Sequence, residues 1–198
     1  MIRPLLIATT NRGKQGEFRR LLGRLPATLV TPDEVGIELE VEEPHDTYAA
    51  NATVKAVAYG RESGLLTLAD DSGIEVAALG WGPGVRSARW GRGKGSQAAQ
   101  IVEAMRGQVD RRARMVCALA VALPDDSEPI VELFNGVVDG SVADEPRGDR
   151  GFGYDPIFLL PEGRTTAELA ETEKDRISHR GRAVASAWPR LLELLASD

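Results

Sequence analysis

The chain has 198 residues, a net charge of −6 at pH 7 and 42% hydrophobic residues. This length and composition are typical of a globular protein with an ample core and predict a single domain over residues 1–198. The negative charge argues against binding to a nucleic-acid polymer, and no apolar run is long enough to cross a membrane, so a cytoplasmic protein without membrane contact is expected.

The first predicted elements are a strand near residues 4–8, the polar loop TTNRGK (9–14) and a helix with an apolar stripe. At such a strand-to-helix junction, backbone N–H groups, the helix dipole and the ammonium group of Lys14 could bind one anion. The alternative is an ordinary helix cap formed by Thr10 or Asn11. The loop lacks the spacing of a Walker A motif.

A second helix is predicted to begin near Asp46 or Thr47, after an acidic run at positions 38, 40, 42 and 43. Because Pro44 keeps the preceding residue out of helical geometry, the acidic residues are expected to precede the helix. Within the helix, Asn51 and Lys55 are four residues apart and therefore share a face.

The segment LLTLA (65–69) is predicted to be a buried strand, and ADDSG is predicted to form a turn before IEVAAL. Turn chemistry is one interpretation of Asp70 and Asp71. The other is that the two carboxylates supply a Mg²⁺ ligand and a base that activates water. Since adjacent residues of extended backbone point in opposite directions, only one of them should face a given site directly.

The remaining elements are a helix capped by Ser96, two long strands, a strand at IFLL and C-terminal helices. The long strands are predicted to form an antiparallel hairpin with a turn at residues 124–127, and Thr165 and Glu168 to form a capping box. In the last helix, Pro189 predicts a kink or a restart. The pattern as a whole predicts an α/β fold with a mixed central β-sheet flanked by helices.

Two residue types are scarce in this chain. The 24 basic residues include four lysines (Lys14, Lys55, Lys94, Lys174), and there are three asparagines (Asn11, Asn51, Asn135). Since the chain prefers arginine, each lysine marks a position where a compact ammonium group could suit better than a guanidinium group. The single cysteine, Cys117, is expected to be a small buried hydrophobe.

Two later stretches also have more than one interpretation. GFGYDP (151–156) could be a tight turn with packed aromatic rings, or a shelf for a flat ligand. ISHRG (177–181), together with Lys174, could be solvated surface or a cluster of hydrogen-bond donors. The anion loop, the carboxylate pair, the aromatic shelf and the donor cluster together are typical of a nucleotide pocket, and most of the scarce lysines and asparagines lie in or near them.

Six segments in this order, TTNRGK, YAANATVKA, ADDSG, PGVRSAR, GFGYDPIF and EKDRISHRG, resemble the inosine/xanthosine triphosphate pyrophosphatase family. These enzymes remove deaminated purine nucleotides. The resemblance covers essentially the whole chain and implies an elongated two-lobed α/β fold, an active site in the cleft between the lobes and a homodimer. It implies Mg²⁺-dependent hydrolysis of non-canonical purine nucleoside triphosphates (ITP, dITP, XTP) to the monophosphate and pyrophosphate. A pyrophosphatase for other modified nucleotides and a non-catalytic nucleotide-binding protein remain as alternatives.

The resemblance also implies roles for individual residues. Asp71 matches the general base and a metal-associated carboxylate, and Glu43 the other metal-linked acid, while Asp70 as the base and Glu42 as the ligand stay open. Lys55 would help to neutralise the triphosphate, and Ser72 would contact the substrate. The residues expected to hold the triphosphate are Thr9, Thr10, Asn11, Arg12, Gly13 and Lys14. Those expected around the base are Phe152, Gly153, Tyr154, Asp155, Lys174, His179 and Arg180.

Two departures from the family pattern are visible. The family usually has a glutamate just before the helix asparagine, where this chain has Ala49 and Ala50. This change leaves metal binding more dependent on Glu43 and Asp71. The segment GRGKGSQAAQ after SARW is shorter and less acidic than the family pattern, and neither change affects the stretches expected at the base.

Overall fold

The computed structural model describes residues 2–90, 96–123 and 129–196. The predicted hairpin turn at 124–127, Lys94 and the first half of the GRGKGSQAAQ segment lie outside these ranges. The helices are α1 (Arg12–Leu22), α2 (Tyr48–Ser63), α3 (Gln97–Ala104), α4 (Glu171–Ile177) and α5 (His179–Ala196). The strands are β1 (Arg3–Ile7), β2 (Ala27–Val30), β3 (Leu66–Val76), β4 (Gly82–Pro83), β5 (Arg112–Leu123), β6 (Ile130–Val142) and β7 (Phe158–Leu159).

The strands form a mixed sheet in the order β2-β1-β3-β5-β6-β7, with β4 paired to β3. β1 is parallel to both β2 and β3, whereas β4 runs antiparallel to β3 and β7 antiparallel to β6. The predicted α/β fold with a mixed sheet and flanking helices is therefore confirmed.

The chain divides into two compact units. Unit 1 contains residues 1–71, 117–136 and 182–198, and unit 2 contains residues 72–116 and 137–181. Because β3 and β5 are each divided between the units, the ends of one strand belong to different cores.

The strands of unit 1 bury both of their faces, and the two faces differ in side-chain size. Leucine and isoleucine side chains of β1 and β3 pack on one face with Phe18 of α1 and with α5. On the opposite face, Ala118, Ala120 and Ala122 of β5 pack against Ala52 and Ala56 of α2. Small side chains on both sides allow α2 to lie close to the sheet. Cys117 is fully buried on the leucine face, as predicted.

Unit 2 has its own core, built from β3 and β5 residues, α3 and the segment around β7. Its buried members include Ile74, Ile101, Met105 and Phe158. The predicted cap of α3 is confirmed, because Ser96 Oγ accepts a hydrogen bond of 3.1 Å from the backbone N–H of Ala99. The predicted capping box of Thr165 and Glu168 is also confirmed, but it begins a short 3-10 helix.

One local prediction was wrong, and two others hold only in part. ADDSG does not form a turn: β3 runs without interruption from Leu66 to Val76. The local preference for a turn is overridden because β3 stays in the sheet. In addition, Lys14 of α1 pairs with Asp70 and Asn51 of α2 binds Asp71. The strand predicted at IFLL is reduced to Phe158–Leu159, because Ile157 ends a 3-10 helix.

Of the kink or restart predicted at Pro189, the restart does not occur, since α5 continues through this residue. Its ring removes the hydrogen bond to the carbonyl of Ala185, which is exposed and can bind water instead. Burial of Ala187, Leu191 and Leu194 on both sides of the proline holds the helix together.

None of the described helices combines the length and the apolar composition that a membrane span requires.

Candidate functional site

The loop at residues 9–14 connects β1 to α1 and is held by hydrogen bonds within it. Asn11 is the N-cap of α1, and its Oδ1 accepts from the backbone N–H of Lys14 at 3.1 Å. Thr9 Oγ1 accepts from the backbone N–H of Asn11 at 3.3 Å, and the buried Gln15 donates from Nε2 to the carbonyl of Thr9 at 2.8 Å. The cap interpretation is therefore confirmed for Asn11, and the cap presents the helix N-terminus in a fixed orientation.

Asp70 lies in the middle of β3 and is 1% exposed. Its Oδ2 is 3.0 Å from Lys14 Nζ and 4.0 Å from Cys117 Sγ. Lys14 thus connects the loop to the strand through a largely buried ion pair. The ion pair therefore brings the segment of residues 9–14 next to the Asp70 carboxylate on β3.

Lys55 of α2 reaches the same strand from the alanine face. Its Nζ donates to the backbone carbonyl of Asp70 at 2.6 Å and forms an ion pair with Glu43. Burial favours the neutral amine, but the carboxylates of Asp70 and Glu43 outweigh it and raise the pKa of Lys55. The side chain is therefore an ammonium group at neutral pH. Glu42 is exposed, so of the two candidate glutamates the structure brings Glu43 to this ammonium group.

Asp71, the next residue of β3, has different partners from Asp70. Its Oδ2 accepts a hydrogen bond of 3.1 Å from Nδ2 of Asn51, and the residue is 5% exposed. Burial raises the pKa of Asp71, and repulsion from Glu43 adds to this, while Lys55 and Asn51 act against it; the pKa stays above its usual value. Asp70 and Asp71 thus contact different partners, Lys14 and Asn51.

Glu43, Asp70, Asp71, Lys14 and Lys55 together form what we call the carboxylate cluster. Its three carboxylates face two ammonium groups, so the five side chains carry one excess negative charge when ionised. Among the residues that the structure describes, no three His, Cys, Asp or Glu side chains are grouped closely enough to hold a metal ion by themselves. Proteins usually bind Mg²⁺ through one or two carboxylates together with substrate phosphates, so a site for this ion would not need three protein carboxylates.

In unit 2, the segment GFGYDP is organised by one buried carboxylate. Asp155 Oδ2 accepts from the backbone N–H of Phe152 at 2.7 Å and lies 2.5 Å from Lys174 Nζ, while Oδ1 accepts from Thr166 Oγ1 at 2.9 Å. Gly151 has a φ of +71°, and a Cβ there would lie 2.1 Å from Asp155 Oδ2. Only glycine therefore allows the loop to close on this carboxylate.

Two cations lie beside the half-buried ring of Phe152. Lys174 Nζ is 5.2 Å from the ring centroid, and the guanidinium carbon of Arg180 is 5.9 Å from it. Arg180 Nη2 also donates to Ser72 Oγ at 2.8 Å. We call Ser72, Phe152, Asp155, Lys174 and Arg180 the aromatic cluster. The structure therefore assembles ADDSG, GFGYDP and SHRG residues that are separated by up to 108 positions in the sequence.

Other residues predicted at the base or the triphosphate have placements of their own. Tyr154 is buried and donates to the carbonyl of Ser87 at 2.8 Å, and burial raises the pKa of its phenol. His179 is buried at the start of α5. Gly153 and Thr10 are exposed, and Arg12 is an exposed partner of Asp33. Gly13 lies in the first turn of α1.

Sequence reasoning left three contributing residues out of the predicted site. Asn51 could have been found from the scarcity of asparagine and its spacing from Lys55. Gln15 and Thr166 have no comparable signal in the sequence. Only the folded structure shows that they bind the carbonyl of Thr9 and the carboxylate of Asp155.

Comparison with known proteins gives a consistent result. The model of the Ham1 family matches residues 5–189. The dITP/XTP pyrophosphatase of Symbiobacterium thermophilum is 46% identical over 194 residues, which are 96% of each chain. The dITP/XTP pyrophosphatase of Gloeobacter violaceus is 45% identical over 93% of this chain and 92% of its own.

Solved structures agree with this similarity. The HAM1 protein from Coxiella burnetii has a TM-score of 0.85 and 36% identity, over 98% of this chain and all of its own. The nucleoside-triphosphatase (dITP/XTP pyrophosphatase) from Mycobacterium abscessus has a TM-score of 0.69 and 40% identity, over 94% of this chain and 99% of its own. The resemblance inferred from the sequence motifs is confirmed, and the chain belongs to the Ham1 family.

Proposed function

We propose that the protein hydrolyses non-canonical purine nucleoside triphosphates, namely dITP, XTP and ITP, to the monophosphate and pyrophosphate. The observation that carries this proposal is the 45–46% identity to dITP/XTP pyrophosphatases over more than nine tenths of the chain. The carboxylate cluster supports it, because its lysines and carboxylates suit transfer of a nucleotidyl group to water with pyrophosphate as the leaving group.

The carboxylate cluster would bind the triphosphate. A triphosphate carries about four negative charges, and Lys14 and Lys55 would neutralise part of that charge and stabilise the departing pyrophosphate. The N-terminus of α1, with the loop of residues 9–14, would donate further N–H groups.

Mg²⁺ would be held by Glu43 and Asp71, the two carboxylates that match the metal-associated acids implied by the family resemblance. When bound, the metal ion would offset phosphate charge and relieve the repulsion between Glu43 and Asp71. The excess carboxylate of the cluster supports this role, because an anionic substrate would otherwise meet a net negative group of side chains.

Asp71 would accept the proton of the water that attacks the α-phosphorus. In the absence of the metal ion, burial raises the pKa of Asp71, and burial by itself therefore favours acceptance of a proton there. The Oδ2 atom of Asp70 is engaged by Lys14, which lowers its value as a base. These contacts favour Asp71 over Asp70, a choice that sequence reasoning left open.

The aromatic cluster would bind the purine. Phe152 would stack on the base, and donors from Lys174, His179 and Arg180 would bind the keto oxygen at position 6 of hypoxanthine or xanthine. Adenine presents an amino group at that position and would leave the donors unmatched, so dATP would be rejected.

Several features implied by the resemblance remain predictions for this chain. They are the elongated two-lobed shape with a cleft, the action of residues 1–198 as a single domain, the homodimer and the cytoplasmic location.

The test is pyrophosphate release from dITP, XTP, ITP, GTP and ATP, with Mg²⁺ and with EDTA. Release from the first three that depends on Mg²⁺ and exceeds release from ATP by orders of magnitude would support the proposal. Equal hydrolysis of ATP would overturn the base assignment. Binding of dITP without pyrophosphate release would support a non-catalytic nucleotide-binding protein instead, and release only from modified pyrimidine nucleotides would support a related pyrophosphatase.

A further inference from the structure

Asn51 is fully buried, and its side chain connects two separate segments. Its Oδ1 accepts from the backbone N–H of His45 at 3.0 Å, and its Nδ2 donates to the carbonyl of His45 at 3.1 Å. The same Nδ2 donates to Asp71 Oδ2 at 3.1 Å. One carboxamide therefore binds both the chain before α2 and the carboxylate on β3.

The segment bound in this way carries Glu43, two residues before His45. Glu43 is paired with Lys55, which lies one helical turn after Asn51 on the same face of α2. Lys55 also binds the carbonyl of Asp70 on β3. Asn51 and Lys55 therefore fix the same two segments to each other at two points.

Only a carboxamide meets the three requirements at position 51. The backbone N–H of His45 needs an acceptor, while the carbonyl of His45 and the carboxylate of Asp71 need donors. A carboxylate at position 51 would keep the acceptor but would provide no amide donor, and an alkyl side chain would remove all three bonds. A buried polar group that loses its partner is costly, so the arrangement is sensitive to the side chain at this position.

We propose that Asn51 is a positioning residue for hydrolysis, which orients the carboxylate of Asp71 and holds the segment of Glu43 in register with it. This inference rests on the proposed function of Asp71 and Glu43. Asn51 itself need not contact the substrate or the reacting water. Its effect is geometric: displacement of a reacting group by about 1 Å can reduce a rate about 10²-fold.

Two variants separate positioning from simple structural support. In Asn51→Asp, the acceptor for the N–H of His45 remains and the amide donor to Asp71 is lost. In Asn51→Ala, both are lost. We expect kcat for dITP to fall about 10²-fold in both variants while KM changes little, because the contacts to phosphate and base stay in place.

Hydrogen exchange of the His45 backbone amide provides a readout that does not depend on activity. The amide should remain protected in Asn51→Asp and exchange rapidly in Asn51→Ala. Crystal structures of the two variants should show a changed side-chain torsion at Asp71. The exposed Asn135 offers a matched control, and Asn135→Asp should leave kcat, exchange at His45 and Asp71 unchanged.

Wild-type kcat in Asn51→Asp, or a decrease in kcat that only follows the folded fraction of each variant, would overturn the inference. An unchanged Asp71 in both crystal structures would also overturn it. If the wild-type protein released no pyrophosphate, the proposed function would fail, while the Asp71 torsion and the exchange at His45 would still decide whether Asn51 orients Asp71.

Discussion

The carboxylate cluster of unit 1 and the aromatic cluster of unit 2 each contain a buried lysine–aspartate pair, but they use it differently. Lys14 lies in α1 and its partner Asp70 in the middle of β3. Asp155, the partner of Lys174, lies instead in a 3-10 helix next to a glycine-rich loop. The first cluster has one carboxylate too many for its ammonium groups. The second has one carboxylate for two cations, Lys174 and Arg180.

The comparison shows that two buried lysine–aspartate pairs can have very different surroundings in one chain. Asp155 has both oxygens occupied by protein donors, so its main effect is to shape the loop that carries Phe152. The five side chains of the carboxylate cluster instead carry one net negative charge when ionised, which a divalent cation would offset. We therefore expect substitutions in the carboxylate cluster to affect catalysis most. Substitutions in the aromatic cluster should mainly affect folding and recognition of the base.

The largest effect should follow removal of the carboxylate proposed as the base. Asp71→Asn should reduce kcat by at least about 10³-fold, since an amide cannot accept the proton of the attacking water. Binding of dITP, measured by calorimetry, should persist. The exposed Asp139→Asn is the control, and near-normal turnover in Asp71→Asn would contradict the assignment. Asp70→Asn should be less severe if Asp70 mainly holds Lys14.

The carboxylate of unit 2 should matter more for stability. Asp155→Asn would leave the buried Lys174 without its counter-charge, and we expect a loss of about 3–5 kcal/mol in the free energy of unfolding in urea. The exposed Asp149→Asn is the matched control, with a change within about 0.5 kcal/mol. An equal loss of stability in Asp71→Asn would remove the distinction between the two clusters.

Separate recognition of phosphate and base can be measured with pyrophosphate as a competitive inhibitor. Phe152→Ala should raise KM for dITP about tenfold through lost stacking and leave inhibition by pyrophosphate unchanged. Lys55→Met should weaken inhibition by pyrophosphate by a similar factor. If Phe152→Ala weakened binding of pyrophosphate as much as binding of dITP, the assignment of phosphate and base to different clusters would be wrong.

The smallest effect concerns the buried phenols of the two units. Burial raises the pKa of Tyr154 in unit 2 and of Tyr59 in unit 1 above 10. The folded protein then keeps both phenols neutral while the unfolded chain ionises them, so stability should be fully retained below pH 10 and should fall as the pH rises above it.

Phenolate absorbance as a function of pH measures this titration. Tyr154→Phe should shift the midpoint of the most delayed phase and cost about 1 kcal/mol for the lost bond to the carbonyl of Ser87. Three tyrosines that titrate together near pH 10 in the folded protein would contradict the prediction.

Local signals in the sequence were sufficient for much of the fold and for the candidate residues. The caps Asn11, Thr47 and Ser96 act within three residues of the chain, so composition reveals them directly. The mixed sheet followed from the order of the elements. The conversion of ADDSG into continuous strand did not, because its cause is Lys14 and Asn51, which are distant in sequence.

The internal design of the site was harder to predict for the same reason. The bond between Asn51 and Asp71 spans 20 positions, and that between Thr166 and Asp155 spans 11. The partners of each bond lie in different secondary-structure elements, so only tertiary packing reveals these contacts. Family resemblance supplied residue roles, but it did not indicate that Asp155 is used to close a loop.

The alanine layer between α2 and the sheet has a consequence for how the sequence can change. A Cβ at Gly60 would lie 3.8 Å from that of Ala122, in ordinary contact, so one methyl group fits there and a larger side chain does not. The methyl groups of Ala118, Ala120 and Ala122 act as a spacer of fixed thickness that sets how far Asn51 and Lys55 reach. The positions of Asn51 and Lys55 thus depend partly on the smallest side chains of the sheet, which are themselves buried.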